Sequence, residues 1–291
     1  MAIFVLENDR LKLSVNSVGC CLDGIVDKNT GEQLMWQGDN ECFPEHDLCL
    51  FPFVARLNNG SFTHKGRSYN LPIHGINPYE DFKLVRITAD SVTLGLTHTQ
   101  ETLKMYPFVW KFFATFALKD NEVNVIYHIE NSNDEPMYFG IGGHPAFYVD
   151  SQPTAEGCEI EGNTVDFGEE ASLTRITCDE QGFYPTGESY YGIMRTLPLN
   201  KSLFNQDAII LRNATGSVTL IRNSGAKIKV SSKSDFMAMW TNKTQGNYIC
   251  FEPWWSLPDY VGAPTELKDK KTIKSLPAGG SDDYSYSITI L

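Results

Sequence analysis

The stretch "VWKFFATFALKDNEVNVIYHIE", residues 109–130, decides the fold class. Val123, Val125, Tyr127 and Ile129 alternate with mostly polar positions, a period of two that buries one face of a strand and leaves the other to water. The run before them is rich in aromatic side chains, and "KDNE" at 119–122 supplies a turn, so the segment reads as a β-hairpin. The same alternation recurs at Val92, Leu94 and Leu96 and at Tyr284, Tyr286, Ile288 and Ile290. No segment of helical length carries a 3.6-residue stripe, although 233–240 has room for a turn or two of helix. With 23 Gly and 14 Pro as punctuation, strand follows strand from end to end. The expected architecture is all-β, one large antiparallel β-sandwich with few short helices. It is expected as a single domain over 1–291, with the acidic, turn-rich segment 156–182 as a long excursion from the sheets.

A chain of 291 residues that is 42% hydrophobic and 21% charged can bury a substantial core. The net charge of −12 argues against a nucleic-acid or membrane partner, since both are themselves negative. The one dense basic run, "KDKK" at 268–271, is expected to be a solvated turn. No signal-peptide pattern opens the chain, and no apolar stretch approaches the roughly 20 residues that span a bilayer. Seven cysteines, odd in number and including adjacent Cys20 and Cys21, make a poor disulfide framework, so a cytoplasmic location is expected.

Four short stretches hold ionisable side chains that strand patterning does not require. Arg56 in "FPFVARL" either ends a strand in water or donates its planar fork to oxygens in a cleft. Pro72 and Gly75 around His74 imply an extended approach and an abrupt turn. In "GIGGHPAFYV", 140–149, Pro145 biases His144 toward an extended conformation. Gly142 and Gly143 carry no side chains, and are expected to leave the imidazole open to a ligand. In "YICFEPWW", strand parity puts Ile249 and Phe251 on one face and Cys250 and Glu252 on the other. Glu252 is either a surface glutamate at a strand end or a carboxyl that its aromatic neighbours desolvate, raising its pKa as a general base requires. Trp36, Trp240, Trp254 and Trp255 are candidate platforms for a sugar ring. The "CFPEHDLC" stretch offers Cys42, His46, Asp47 and Cys49 but lacks a second paired-cysteine element for zinc. "GIGG" does not complete a dinucleotide fingerprint, and "NAT" at 213–215 means nothing without a secretory signal.

Taken in order, "LFPFVARL" (50–57), "LPIHG" (71–75), "YPFVWKFFATFAL" (106–118), "IGGHPAF" (141–147), "LFNQDAIIL" (203–211) and "ICFEPW" (249–254) resemble the aldose 1-epimerase (galactose mutarotase) family. In detail they look like its bacterial branch associated with lactose-utilisation genes. The resemblance implies a supersandwich fold, Glu252 as general base, His144 as general acid and His74 assisting at the ring oxygen. It implies hydroxyl binding by Arg56 and by an aspartate assigned to Asp207, with Asn205 as the competing alignment, and places Trp254 among the substrate-binding residues. Two departures stand out: Ala55 replaces the common glycine or asparagine, and "INPYEDF" after Gly75 lacks an arginine often seen in the branch. The expected activity is cofactor-independent and metal-independent interconversion of the anomers of a free aldohexose, galactose or glucose, by a monomer or homodimer. A hexose-phosphate mutarotase, which needs an extra cationic pocket, and a non-catalytic sugar-binding or sensing protein are the alternatives.

Overall fold

The computed structural model describes residues 1–155, 157–177, 179, 188–212, 214 and 216–291. The hairpin forms as read: Trp110–Lys119 pairs with Glu122–Asn131, from Trp110 opposite Asn131 to Lys119 opposite Glu122. Asp120 takes the left-handed conformation at the turn, φ 51°. Phe112, Phe116, Val123, Val125, Tyr127 and Ile129 are fully buried, while Lys111 and Lys119 face water. Ser91–Thr97 and Ser281–Ile290 flank the hairpin in one large antiparallel sheet. A four-stranded antiparallel sheet from the first 33 residues packs against it, and both supply one core, with Leu11, Leu13 and Val15 meeting Phe112, Val125 and Ile288. The all-β sandwich is therefore observed, with one short α-helix, Gln100–Met105, among the described residues.

Three local expectations change. Residues 236–240 form a strand, not helix, because Phe236–Trp240 is hydrogen-bonded between Ile209–Arg212 and Tyr248–Trp254, and tertiary pairing overrides weak local propensity. The 156–182 segment is not simply an excursion: Thr164–Thr177 is a 14-residue strand of the large sheet. Residues 156, 178 and 180–182, with Cys178, lie outside the described residues, as do Asn213 and Thr215 of the "NAT" triplet. The basic run is not wholly solvated. Lys270 is buried and its Nζ donates to both Asp259 carboxylate oxygens at 2.7 Å. Asp259 accepts from the Asn58 backbone N–H, and its own N–H donates to the Arg56 carbonyl, so this ion pair anchors the segment that carries Arg56.

The turn behind His74 is built on a glycine for a stated reason. Gly75 has φ +84°, and a Cβ there would lie 2.5 Å from the Phe51 carbonyl carbon and 2.7 Å from Pro52 N. The Phe51 carbonyl oxygen already accepts from Ile76 N–H at 2.7 Å and Asn77 N–H at 3.1 Å, so the backbone cannot retreat without losing them. Gly75→Ala is expected to destabilise the protein by at least about 2 kcal/mol, the left-handed backbone supplying ~1 kcal/mol and the backbone collision the rest. The midpoint of urea unfolding reads this directly.

Candidate active site

Neighbouring strands of the large sheet converge on one cavity. Their order is Cys49–Leu50, Gly142–Gly143, Tyr248–Trp254, Phe236–Trp240 and Ile209–Arg212. They deliver, in turn, the segment leading to Arg56, the chain entering His144, Glu252 itself, Trp240 and the turn holding Asp207. His74 joins from the side, where Phe51 bridges Gly75 in parallel fashion. The cavity is about 320 Å³, and Arg56, His74, His144, Asp207, Glu252 and Trp254 all line it. These six residues, singled out as site candidates in the sequence, thus meet at one place.

Strand parity puts Glu252 there. Ile249 and Phe251 point into the main core, while Tyr248, Cys250 and Trp254 belong to a second, smaller cluster on the opposite face. Glu252 shares that second face and is 1% exposed, so it is not a surface glutamate at a strand end. His144 Nε2 stands 3.2 Å from Glu252 Oε2, with the imidazole 6% and the carboxyl 2% exposed. The contact is close but not aligned as a hydrogen bond. Burial pushes the Glu252 pKa well above the usual carboxylate range, reinforced by the nearby Asp207 charge; the Trp254 indole N–H opposes the shift. Burial also lowers His144 to about 4. Both shifts favour the uncharged pair, with the proton on the carboxyl and a free lone pair on the imidazole.

His74 sits in the left-handed region, φ 66°, across from Ala55, φ 51°. The two residues bond reciprocally: His74 N–H donates to the Ala55 carbonyl at 2.9 Å, and Ala55 N–H donates to His74 Nδ1 at 3.3 Å. An accepting Nδ1 leaves the ring proton on Nε2, so His74 is a neutral hydrogen-bond donor. Burial, then the His144 and Arg56 charges, holds its pKa well below the ordinary histidine value and keeps it so. The left-handed backbone at 55 also gives a physical reason why glycine or asparagine would suit that position. Arg56 Nη1 lies 3.8 Å from Asp207 Oδ2, both groups partly open to solvent. Burial raises the Asp207 pKa, against the pull of Arg56 and the Trp240 indole N–H. Asn205 is exposed and does not line the cavity, so of the two it is Asp207 that faces the cavity.

Two sequence expectations fail here. Gly142 and Gly143 make room for protein, not for a ligand: a Cβ on Gly142 would meet the Trp254 ring at 2.7 Å, and one on Gly143 the Tyr286 ring at 2.7 Å. Trp36 and Trp255 are not platforms. Trp36 donates to the Phe43 carbonyl and packs on Tyr148 and Tyr248, and Trp255 packs on Tyr284 in the main core. Trp240 and Trp254 do line the cavity.

Three contributors were not picked out from the sequence. Phe43 stacks on His144 with ring centroids 5.3 Å apart. Asp47, read only as part of a broken zinc pattern, is buried and accepts from His144 N–H at 3.3 Å and Leu22 N–H at 3.0 Å, fixing the backbone behind the imidazole. Burial raises its pKa to about 7, against those N–H donors. Lys201 is buried and its Nζ donates to the carbonyls of Asn242, Gln245 and Gly246 and to Thr241 Oγ1, at 2.7–3.2 Å. It ties the segment leading to Asp207 to the loop after Trp240. Asp47 follows Glu45 and His46 in a polar stretch, so neither it nor a lone lysine stands out in the sequence.

His144, Cys250 and Glu252 each offer a donor atom, all within 4.8 Å of one another, a nitrogen, sulfur and oxygen set that zinc accepts. A metal needs the thiolate and carboxylate, and burial drives both Cys250 and Glu252 toward their protonated forms.

A large antiparallel sandwich that carries a buried Glu/His pair in a cavity lined also by Arg56, Asp207 and Trp254 has the galactose mutarotase-like fold. The sequence matches the aldose 1-epimerase family over residues 2–261. The chain belongs to that family. A galactose mutarotase related enzyme from Lactobacillus acidophilus is 29% identical and superposes with a TM-score of 0.92, covering 100% of this chain and 97% of that one. A galactose mutarotase-like protein from Lactobacillus casei ATCC 334 is 24% identical with a TM-score of 0.93, covering the whole of both chains, a likeness of fold. The uncharacterized protein YphB of Escherichia coli (strain K12) is 25% identical over 206 residues, 60% of this chain and 68% of its own.

Proposed function

We propose that the protein is a cofactor-independent aldose 1-epimerase that interconverts the α and β anomers of a free aldohexose such as galactose or glucose. The observation that carries this is the Glu252–His144 contact of 3.2 Å at the cavity floor. Opening a hemiacetal removes the proton of the C1 hydroxyl and delivers one to the ring oxygen, and both oxygens are bonded to C1. The acid and the base must therefore stand side by side, as this pair does. With the pair's single proton shifted onto His144, Glu252 takes the hydroxyl proton while His144 gives its own to the ring oxygen; the C1–ring oxygen bond breaks and leaves the open-chain aldehyde. Rotation about C1–C2 and reclosure on the other carbonyl face reverse both transfers. His74, a neutral donor through Nε2, steadies the ring oxygen as charge develops there.

Electrostatics favour an unphosphorylated sugar. Arg56 is the single cation among the described residues lining the cavity, and it faces Asp207, while Glu45 and Glu252 add two more carboxyl groups. Among the described residues lining the cavity, a sugar phosphate would meet no cation but Arg56. The structural relative described as a galactose mutarotase related enzyme supports a galactose-type substrate.

The test is polarimetry on freshly dissolved α-galactose and α-glucose. The protein should speed equilibration of at least one of them, run glucose 6-phosphate more slowly than glucose, and keep its rate after dialysis against EDTA. No acceleration of any free aldose would sink the reading. Asp207→Asn should lower kcat/KM by about tenfold, mostly through KM, since a hydrogen bond between a hydroxyl and a charged group contributes ~1.5 kcal/mol or more. Initial rates over a range of sugar concentrations separate the two constants.

A further inference from the structure

The imidazole of His144 has no aligned hydrogen bond to aim it among the described residues. Nε2 meets Glu252 out of line, and Nδ1 is buried and approaches the residue's own backbone without an aligned bond. Asp47 accepts from the His144 backbone N–H at 3.3 Å, which fixes where the side chain starts but not how its ring is turned. A catalytic imidazole is ordinarily oriented by a third group bonded to its second nitrogen, and here another device has to supply that orientation.

Stacked rings stand where that bond would be. Phe43 lies on His144 with centroids 5.3 Å apart and planes 22° from parallel, and Tyr248 lies on Phe43 at 5.5 Å and 25°. Beyond Tyr248, the Lys201 ammonium is 5.9 Å from the ring centroid. The far end of this column is fixed. Tyr248 is fully buried in the strand Tyr248–Trp254, its hydroxyl accepts from Asn242 N–H at 3.1 Å, and Lys201 Nζ donates to four protein oxygens. An imidazole that turned about its Cβ–Cγ bond would give up its stacked contact with a ring that is itself held from the other side. We propose that Phe43, backed by Tyr248 and Lys201, is a positioning residue that holds the His144 imidazole at the angle from which it serves the sugar ring oxygen. The catalytic part of this role rests on the mutarotase reading above; the stack itself does not.

Phe43→Leu removes the flat face and keeps an apolar side chain, whereas Phe43→Tyr keeps the face. Polarimetric initial rates on galactose and glucose should show kcat lowered at least about tenfold in Phe43→Leu with KM held within about threefold, and kcat of Phe43→Tyr within about threefold of wild type. A second measurement needs no sugar. In the wild-type NMR spectrum the His144 ring protons, assigned by their absence from His144→Asn, should lie upfield of a free imidazole's through the Phe43 ring current, move back in Phe43→Leu and stay in Phe43→Tyr. Unshifted His144 signals in wild type would overturn the proposal. So would a Phe43→Leu variant that keeps wild-type kcat, one that loses only in KM, as a wall for the sugar would, or a Phe43→Tyr variant as slow as Phe43→Leu. If wild type turns over no free sugar while its His144 signals are shifted, the mutarotase reading fails and the catalytic role of Phe43 with it, and the stack alone stands.

Discussion

Glu252→Gln is expected to lower the catalysed rate of mutarotation by about 10²–10⁴-fold while leaving the protein at least as stable as the parent at neutral pH. The side chains are nearly isosteric, so the cavity and the packing of Tyr248–Trp254 persist. What goes is the ability to take a proton from the C1 hydroxyl. Stability moves the other way because Glu252 is a buried carboxyl with its pKa raised by desolvation. Below about pH 4.5 the group is protonated in both folded and unfolded chains and imposes no difference. As pH rises the unfolded chain ionises first, the native one resists, and stability falls until the native group itself ionises. Gln cannot ionise, so the variant should lose less stability than wild type between pH 5 and neutrality. Polarimetry and urea unfolding on the same samples decide it: a variant that is both slow and unfolded would leave catalysis by Glu252 unsupported.

The fold could be read from the sequence because it depends on local periodicity, whereas most of the site was legible through the family resemblance, which alone implied the residue roles and pointed to Asp207. Alternation at 123–129 and 284–290 announced strands, and parity in "YICFEPWW" put Glu252 on the face away from Ile249 and Phe251. The errors came where a residue's environment is supplied by distant chain. Phe236–Trp240 is a strand because two partners hold it, and Lys270 is buried because Asp259 awaits it. Gly142 and Gly143 looked like open ground beside His144, yet the space above them is filled by Trp254 and Tyr286, more than a hundred residues away. Asp47 was not legible, since its partners are backbone N–H groups, which no side-chain pattern advertises.

His144→Asn should cost a comparable 10²–10⁴-fold, and the double variant with Glu252→Gln about as much as either single one, because the two groups act as a unit. Proton transfer to the ring oxygen and from the C1 hydroxyl occur in one step, so removing either partner disables both. The working form of the pair carries one proton, on Glu252 or on His144, and the two placements differ only by a shift across 3.2 Å. Adding a second proton requires charging the buried His144, whose pKa lies at about 4, and removing the last requires ionising Glu252 above its ordinary range. Activity should therefore fall on the acid side only near pH 4 and on the basic side only where Glu252 ionises, above its ordinary range, with no limb at the usual free-imidazole value near 6.5. A limb centred near pH 6.5 would show that His144 titrates as an exposed histidine and would undo the argument. Stability supplies an independent check. The native imidazole resists protonation that the unfolded chain accepts from pH 6.5 downward, so the part of wild-type stability that depends on His144 is complete above 6.5 and is lost as pH falls toward 4. His144→Asn gives up the Phe43 stack, worth ~1 kcal/mol, at every pH, but should lose less than wild type between pH 7.5 and pH 5. Urea midpoints of both proteins at those two pH values measure the difference.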